Sequence, residues 1–211
     1  MAYSTIDTLI SLLEERRLAQ LADDFGATVI KRSTFTADGS GAGTVSCSSA
    51  SWATNHWAGC SLIETDVDGN ETVYEVLSNT DTELTLDTAE DIGAGQFDLK
   101  SRAALVCEKA IADADSEIDF HVRKRYALPL SSVPKVVENL SGTIAVWFLY
   151  TRRSVDDSAW EKRYARAMQT LERVALGRFE LFDEERDGVD DYKPATVTWA
   201  GPQQTFKNMR F

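Results

Sequence analysis

Residues 107–122 read CEKAIADADSEIDFHV, and they decide how the rest of the chain is interpreted. Apolar side chains recur there at every third or fourth position, namely Cys107, Ile111, Ala114, Ile118 and Val122. This spacing places them on one face of an α-helix, so the stretch predicts a long helix with a buried side. The opposite, solvated face is expected to carry four carboxylates: Asp113, Asp115, Glu117 and Asp119.

Helices are also predicted before this stretch. Ser4 and Thr5 are N-capping residue types, and Ile6 begins a helical pattern directly after them. A second short helix is predicted over residues 14–23, with Gly26 placed to end it.

Two more helices are predicted after the long one. The first follows Pro134 and is expected to bury one face, formed by Val136, Val137, Leu140, Ile144, Trp147 and Thr151. The second begins at residues 158–161, which read SAWE, a capping-box pattern, and Gly177 is placed to stop it. Its inner side is expected to consist of Trp160, Tyr164, Ala167, Leu171 and Val174.

Residues 33–100 have a different texture. They contain seven of the chain's 12 glycines and are rich in Ser and Thr. Apolar and polar residues alternate in residues 72–77 and 83–87, and Asp68-Gly69 is a hairpin signal between two β-prone runs. We therefore predict five or six short strands that form a small barrel or sandwich.

The charge separates along the same boundary. The 211 residues carry a formal net charge of −12, and residues 33–100 hold 12 carboxylates against Lys100 alone, a net charge of −11. The remaining 143 residues hold 22 acidic and 21 basic side chains, a net charge of −1. The chain as a whole therefore has no global positive field with which to bind nucleic acid.

Other classes of protein find little support. The longest apolar run, residues 144–150, is far shorter than the roughly 18 residues of a spanning helix, so no membrane partner is expected. The N-terminal residues lack the pattern of a secretory signal. Cys47, Cys60 and Cys107 leave one cysteine over from any pairing and form no Cys-x-x-Cys motif, which favours a reduced chain.

Catalytic and metal sites are poorly indicated. The run Asp66-x-Asp68-Gly69-Asn70 resembles the start of a calcium loop, but positions six and twelve of the loop are Glu71 and Leu77, so a hairpin turn is preferred. His56 and His121 are too few for a zinc site, and we interpret both as structural or solvent-facing.

No nucleophile elbow or P-loop is present in the sequence, and residues 39–43 read as a flexible glycine-rich loop. Carboxylates four residues apart on the long helix could serve a metal-dependent hydrolase, but a solvated helix face is the preferred interpretation. We expect neither an enzyme nor a cofactor.

Basic residues cluster at Arg123-Lys124-Arg125, at Arg152-Arg153, and at Lys162-Arg163 with Arg166. They could contact an acidic surface of a neighbouring subunit or phosphates. Alternatively, these basic side chains are compensated by carboxylates of the same helical part, and the near-neutral net charge of that part favours this interpretation.

The helical motifs resemble a known family. They comprise an AI-x-DA-x-x-EID helix at residues 110–119, an RY-x-LPL corner at 125–130 and a VP pair at 133–134, followed by a third helix and a short aromatic and basic tail at 205–211. Together with residues 3–26, this order resembles the head–tail connector, or neck, proteins of tailed phages, of the Mu-like kind. Residues 33–100 depart from that pattern and look similar to small β modules of other phage structural proteins.

The resemblance implies an α+β fold. Its main part is a helical connector domain of about four to five helices, formed by residues 1–32 and 101–211 and ending in a C-terminal strand and tail. Residues 33–100 would be an inserted acidic all-β barrel or sandwich, placed on the outer rim of a ring.

The resemblance also implies a function. The chain would be a subunit of a homo-oligomeric, twelvefold ring in the virion neck, assembled in the host cytoplasm. The ring would bind the portal protein and a tail-terminator, tail or stopper protein, and let DNA pass without sequence-specific binding. A tail-terminator, decoration or other neck subunit is the alternative, with a metal-dependent hydrolase less favoured.

Two sets of residues are candidates for these contacts. The subunit or portal interface is expected to contain Arg123, Lys124, Arg125, Thr205, Phe206, Lys207, Met209, Arg210 and Phe211. The channel lumen, or an acidic inter-subunit face, is expected to contain Asp113, Asp115, Glu117 and Asp119.

Overall fold

The computed structural model describes residues 2–23, 29–66, 68–155 and 157–182, and the elements below lie in one compact unit that ends at Leu181. The fold is α+β. The five helices of the described residues are α1 (Ile6–Leu12), α2 (Glu15–Ala22), α3 (Arg102–Val122), α4 (Lys135–Arg152) and α5 (Ser158–Ala175).

The long helix predicted around residues 107–122 is α3. It begins where the Ser101 hydroxyl accepts a hydrogen bond of 3.3 Å from the Ala104 amide, which caps the helix. All five apolar residues of the predicted face, from Cys107 to Val122, are buried. The periodicity therefore identified both the helix and its packed side.

Helix α4 is central, because α1, α2, α3 and α5 all pack against it. Its buried residues consequently lie on more than one side: Val137, Ser141, Gly142, Ile144, Ala145, Val146, Leu149 and Tyr150. The single predicted face was therefore wrong in part, since Val136 is 39% exposed and Thr151 is exposed. A helix surrounded by neighbours does not need a single apolar stripe.

The remaining helices follow their predicted bounds closely. Helix α1 is capped by Thr5, whose side chain accepts from the Thr8 amide, and α2 lies within the predicted residues 14–23. Helix α5 is capped by Asp157 rather than by a Ser158–Glu161 box, because the Asp157 carboxylate accepts from the Ala159 and Trp160 amides. Gly177, at φ +73°, follows the end of α5 as predicted.

All strands of the described residues belong to one antiparallel sheet of seven strands in the order β1-β7-β4-β5-β6-β3-β2. The strands are β1 (Arg32–Thr36), β2 (Gly39–Gly41), β3 (Thr44–Ser46), β4 (Ser61–Thr65), β5 (Glu71–Asn79), β6 (Glu83–Leu86) and β7 (Gln96–Lys100). The predicted hairpin at Asp68-Gly69 is confirmed, since Thr65 pairs with Glu71 in the β4–β5 register.

The sheet is curled, and its two edge strands are consecutive in the chain. Only Ala37 and Asp38 separate β1 at one edge from β2 at the other. The Ala37 amide donates to the Gly95 carbonyl at 2.8 Å, and the Asp38 amide donates to the Ser46 carbonyl at 3.1 Å. One continuous segment therefore leads from one edge of the sheet to the other.

The curled sheet encloses an apolar core of its own. Its buried members are Ala37, Val45, Trp57, Cys60, Leu62, Val76, Leu84, Leu86, Ile92, Phe97 and Leu99. Asn79 fixes the loop before β4, because its side chain accepts from the Trp57 amide at 2.8 Å and donates to the Ala53 carbonyl at 2.9 Å.

The chain enters and leaves the sheet at one place. The Ser101 amide donates to the Lys31 carbonyl at 2.8 Å, and the Lys31 amide donates to the Ser101 hydroxyl at 3.1 Å. Beside this crossing, Lys100 forms an ion pair of 3.0 Å with Glu108 on α3, and Arg32 forms one with Asp7 on α1. Whether residues 33–100 fold as a separate inserted domain stays a prediction.

Candidate functional site

The four carboxylates predicted for one face of α3 lie in two different environments. Asp113 and Glu117 project towards solvent, where Asp113 lies 4.0 Å from Lys109 and Glu117 lies 3.9 Å from His121. Asp115 is buried, with 7% of its surface exposed. Successive helical residues are about 100° apart, so positions 113 and 117 share a side that 115 and 119 do not. Asp115 is therefore corrected from a surface group to an internal one, and a lumen role for the others stays a prediction.

Asp115 holds the N-terminal segment against the helices. Its carboxylate accepts the Tyr3 amide at 2.9 Å and the Ser141 hydroxyl of α4 at 2.5 Å. Ser141 also shares a hydrogen bond of 2.7 Å with Ser4, while the Tyr3 hydroxyl donates to Asp119. These contacts join the N-terminus, α3 and α4 in one polar cluster.

The environment of this polar cluster shifts two pKa values. Burial raises the pKa of Asp115 above its ordinary value, although the bonds from Ser141 and Tyr3 oppose the shift. Burial and the bond to Asp119 raise the pKa of the Tyr3 hydroxyl as well. Tyr3 and Ser141 were not predicted as functional or structural partners, and Ser4 was predicted only as a helix cap, because partners more than 100 residues apart leave no periodic signal in the sequence.

An open groove of about 520 Å³ adjoins the polar cluster. Its walls include Thr5 and Ile6 of the N-terminal segment, Glu108 and Ile111 of α3, and Arg32 from the start of β1. Arg32 and Glu108 both form ion pairs with other residues, with Asp7 and Lys100 respectively. The groove thus combines apolar walls with charges that are already paired.

The cysteines are poorly placed for nucleophilic chemistry. All three are free and buried, and burial raises the pKa of Cys60, and that of Cys107 to about 12. Because the thiolate is the reactive form, neither thiol is activated at neutral pH. In the described parts of the chain, no group of three or more His, Cys, Asp or Glu side chains is arranged to hold a metal ion.

The histidines and the acidic loop have structural explanations. The Nδ1 atom of His121 lies 2.9 Å from the Glu117 carbonyl, and the ring of His56 packs edge-on against Trp57. In the β4–β5 turn, Asp66 accepts from the Asp68 amide at 2.9 Å and from the Asn70 amide and side chain at 2.8 Å. These bonds lower the pKa of Asp66 and satisfy both of its oxygens within the turn, as the hairpin interpretation requires.

The acidity of residues 33–100 lies on the surface of the sheet. Ten of the twelve carboxylates are exposed, and Glu64 and Asp98 are half-buried. Within the described residues, the sheet's own Lys100 provides the only ion pair to any of the twelve, at 3.8 Å from Asp98. The sheet thus presents an acidic surface with almost no compensation of its own.

The first basic cluster sits at the corner after α3. Arg123 and Lys124 are exposed and lie over the ring of Phe120, at 4.8 Å and 5.6 Å from its centroid. The Arg125 guanidinium lies against Gly177, where an added Cβ would come within 1.9 Å of it. Phe120 itself is 51% exposed, so the corner combines cations with an aromatic surface.

The second basic cluster, Arg152 and Arg153, contacts backbone carbonyls of the same chain. Arg152 donates to the Leu21 and Ala22 carbonyls at 3.3 Å, and Arg153 donates to the carbonyls of Gln20, Leu21 and Asp23. These are the carbonyls at the C-terminal end of α2, which carry the negative end of the helix dipole. Both arginines therefore stabilise the packing of α2 on α4.

The third basic cluster lies on α5. Lys162, Arg163 and Arg166 are exposed, and the Arg163 guanidinium lies 4.6 Å from the centroid of the Trp160 ring. The other predicted interface residues, Thr205, Phe206, Lys207, Met209, Arg210 and Phe211, lie outside the described residues, as does the predicted C-terminal strand.

Among the helices of the described residues, none is long and apolar enough to cross a membrane.

Comparison with known proteins gives two matches. The family described as "Bacteriophage Mu, Gp36" matches residues 67–197, a range that contains β5 to β7 and all of α3, α4 and α5. The "Mu-like prophage FluMu protein gp36" of Haemophilus influenzae (strain ATCC 51907 / DSM 11121 / KW20 / Rd) is 33% identical over 95 residues, which are 44% of this chain and 66% of that protein. The chain thus spans just under two thirds of that relative's length.

The family match differs from the expected coverage in two respects. It begins inside the β segment, at residue 67, whereas we expected residues 33–100 as a whole to depart from the family pattern. The predicted N-terminal resemblance at residues 3–26 lies outside the matched range.

Proposed function

Because the chain belongs to the bacteriophage Mu Gp36 family, we propose that it is a structural protein of the virion, a ring-forming head–tail connector subunit. In this role it docks under the portal protein, extends the DNA channel and offers a surface for attachment of the tail. Its location is the neck of the virion, and it is not an enzyme.

The observation that carries the proposal is the span of the family match. The match takes in the three long helices, and with them the α3 acidic motif, the RY-x-LPL corner and the helix start after Pro134. Those are the motifs on which the resemblance to connector proteins rests. The family itself points to a phage structural or morphogenesis protein, and the connector role is the finer step that we propose.

The chemistry of the described residues supports a structural role. Cys60 and Cys107 are held as thiols, and the buried Asp115 is engaged by Tyr3 and Ser141 rather than aimed into solvent. The exposed surface instead differs between the two regions, since the sheet exposes almost only carboxylates, whereas cations cluster at the corner and on α5, where Glu161 and Glu172 are exposed as well. A subunit with two unlike faces is what a head-to-tail ring requires.

We place the acidic curled sheet, as an inserted barrel, on the outer rim of the ring. Like charges repel, so its exposed carboxylates would keep it away from the phosphates of DNA in the channel.

The test is to add the purified full chain to DNA-filled, tailless heads of the phage that encodes it, and to image the particles by cryo-electron microscopy. A ring of density under the portal, twelvefold and coaxial with the channel, is the expected result. Binding to free tails alone would instead identify a tail-terminator subunit, and binding to neither would overturn a neck role.

A further inference from the structure

One face of β5 is exposed from Glu71 to Leu77. Side chains alternate across a strand, so Glu71, Val73 and Glu75 share the outward face. The exposed Leu77 continues this line at the register shift between Val76 and Ser78, and the strand then ends at the buried Asn79. Val73 is 57% exposed and Leu77 is 55% exposed, which is unusual for apolar residues in the middle of a sheet surface. In the described structure neither glutamate forms an ion pair. We call Glu71, Val73, Glu75 and Leu77 the β5 stripe.

Helix α5 carries a second exposed line of residues. Lys162, Arg166, Gln169, Arg173 and Leu176 follow one another at intervals of three or four, so they share one side of the helix. That side lies opposite the buried residues Trp160, Ala167, Leu171 and Val174. Leu176 is 69% exposed, and the three cations form no ion pair with any described residue. We call these five residues the α5 stripe.

The two stripes match in length and in chemistry. From Glu71 to Leu77 the strand advances about 20 Å, at 3.3 Å per residue. From Lys162 to Leu176 the helix advances about 21 Å, at 1.5 Å per residue. Each stripe ends in an exposed leucine. Alignment of Leu77 with Leu176 brings Glu75 near Arg173 and Glu71 near Lys162 and Arg166.

We infer that the β5 stripe of one copy docks on the α5 stripe of a second copy of this chain. The inference rests on the proposed ring only for the identity of the partner. The contact is head to tail, because the two stripes belong to different elements, so each copy keeps one stripe free for a further neighbour. Repetition of this contact builds a ring or an open filament.

A second copy suits the stripes better than DNA does. Phosphates would neutralise the cations of α5, but they would leave Leu176 in water and would be repelled by Glu71 and Glu75. The acidic and apolar stripe on β5 offers partners for both parts of the α5 stripe. The test must therefore distinguish DNA binding by α5 from self-association of the chain.

The experiment compares two charge-reversed variants of the full chain by native mass spectrometry and analytical ultracentrifugation. The first is Arg166→Glu with Arg173→Glu, and the second is Glu71→Lys with Glu75→Lys. Each variant alone faces like charges at the contact, so self-association is expected to weaken by roughly 10- to 100-fold relative to wild type. High salt should weaken wild-type association in the same direction.

Mixing the two variants is the decisive step. In the mixture each reversed stripe meets an opposite charge on the other variant, so alternating copies should associate as wild type does. Restoration on mixing supports the inference. Failure of the mixture to associate overturns it, as does wild-type protein that stays monomeric, or a single variant that associates normally.

Matched controls distinguish the effect of reversing charges in a stripe from the effect of changing the overall net charge. Arg16→Glu with Lys109→Glu makes the same change in net charge as the α5 variant, and Glu83→Lys with Glu90→Lys makes the same change as the β5 variant. Both controls are expected to associate like wild type. Loss of association in either control would attribute the effect to overall charge and overturn the inference.

Two further results keep the outcomes distinct. If the α5 variant no longer binds a 30-base-pair DNA duplex that wild type binds, while its self-association is unchanged, the α5 stripe binds phosphate and the inference is wrong. On tailless heads, normal rings built from the α5 variant would overturn the inference and leave the connector function standing. Heads that bind no form of the chain would overturn the function, and the solution assay would still decide the inference.

Discussion

The curled sheet and the helical body use charged side chains in opposite ways. The hydrophobic cluster of the sheet is bordered by one buried amide, Asn79, and nearly all of the sheet's carboxylates are exposed to solvent without a cation. The helical body, α1 to α5, carries exposed side chains of both signs and buries two carboxylates among its described residues. Asp23 lies at the end of α2, and Asp115 links the N-terminus, α3 and α4. The comparison teaches that acidity in the sheet shapes its surface, whereas the buried Asp115 of the helical body organises packing.

The largest expected effect tests whether the two regions unfold independently. Leu84→Ala removes a fully buried side chain from the core of the sheet and should lower the free energy of unfolding of that region by about 2–5 kcal/mol. Hydrogen exchange should then show lost protection in residues 32–100 and retained protection in α3, α4 and α5. Equal loss in both regions would show that sheet and helices unfold as one unit.

The matched change in the helical body is Leu171→Ala, which also removes a fully buried leucine. It should reverse the pattern, with protection lost in the helices and kept in the sheet.

Alanine substitutions at two glycines between strands distinguish the cost of a left-handed backbone from the cost of a steric clash. Gly43 and Gly69 both have positive φ, but a Cβ at Gly43 would lie 2.2 Å from the Thr88 carbonyl oxygen, while one at Gly69 meets nothing within 4 Å. Gly69→Ala should cost about 1–2 kcal/mol for the left-handed backbone. Gly43→Ala should cost about 1–3 kcal/mol more, since the backbone oxygen must move. Equal denaturation midpoints for the two variants would contradict this assignment.

Removal of the buried carboxylate tests the polar cluster. Asp115→Ala removes the acceptor of the Tyr3 amide and one of the two hydrogen-bond partners of the Ser141 hydroxyl, so the free energy of unfolding should fall by about 1–3 kcal/mol. Asp113→Ala, on the exposed side of the same helix, should change stability by less than about 0.5 kcal/mol. Urea denaturation of both variants provides the measurement, and similar losses would argue against a structural role that is specific to Asp115.

The pH dependence of Asp115 should give the smallest effect. Burial raises its pKa in the folded state above the unfolded value near 3.8, so the folded chain holds the proton more tightly. This contribution to stability is complete below the unfolded pKa and is lost as the pH rises through the folded pKa. Asp115→Asn cannot titrate, so its stability relative to wild type should increase with pH across that window. A difference between the two that does not change with pH would show that Asp115 does not titrate differently on folding.

Much of the architecture could be predicted from local patterns. The three-to-four spacing from Cys107 to Val122 predicted α3 and its buried face, and Asp68-Gly69 predicted the β4–β5 hairpin. Pro134 and Gly177 marked the start of α4 and the end of α5. These signals succeed because caps, turns and amphipathic periods are set by residues that are neighbours in the chain.

The sequence by itself determined the five helices and the confinement of the acidity to residues 33–100, since each depends on short-range patterns or on composition. Only the tertiary structure decided which of the four α3 carboxylates is internal, which sides of α4 are buried, and that β1 and β2 bring the two edges of the sheet together. The physical reason is that burial depends on how many elements surround a side chain. Asp115 is enclosed by Tyr3 and Ser141, and α4 by four helices, through contacts between residues far apart in the chain.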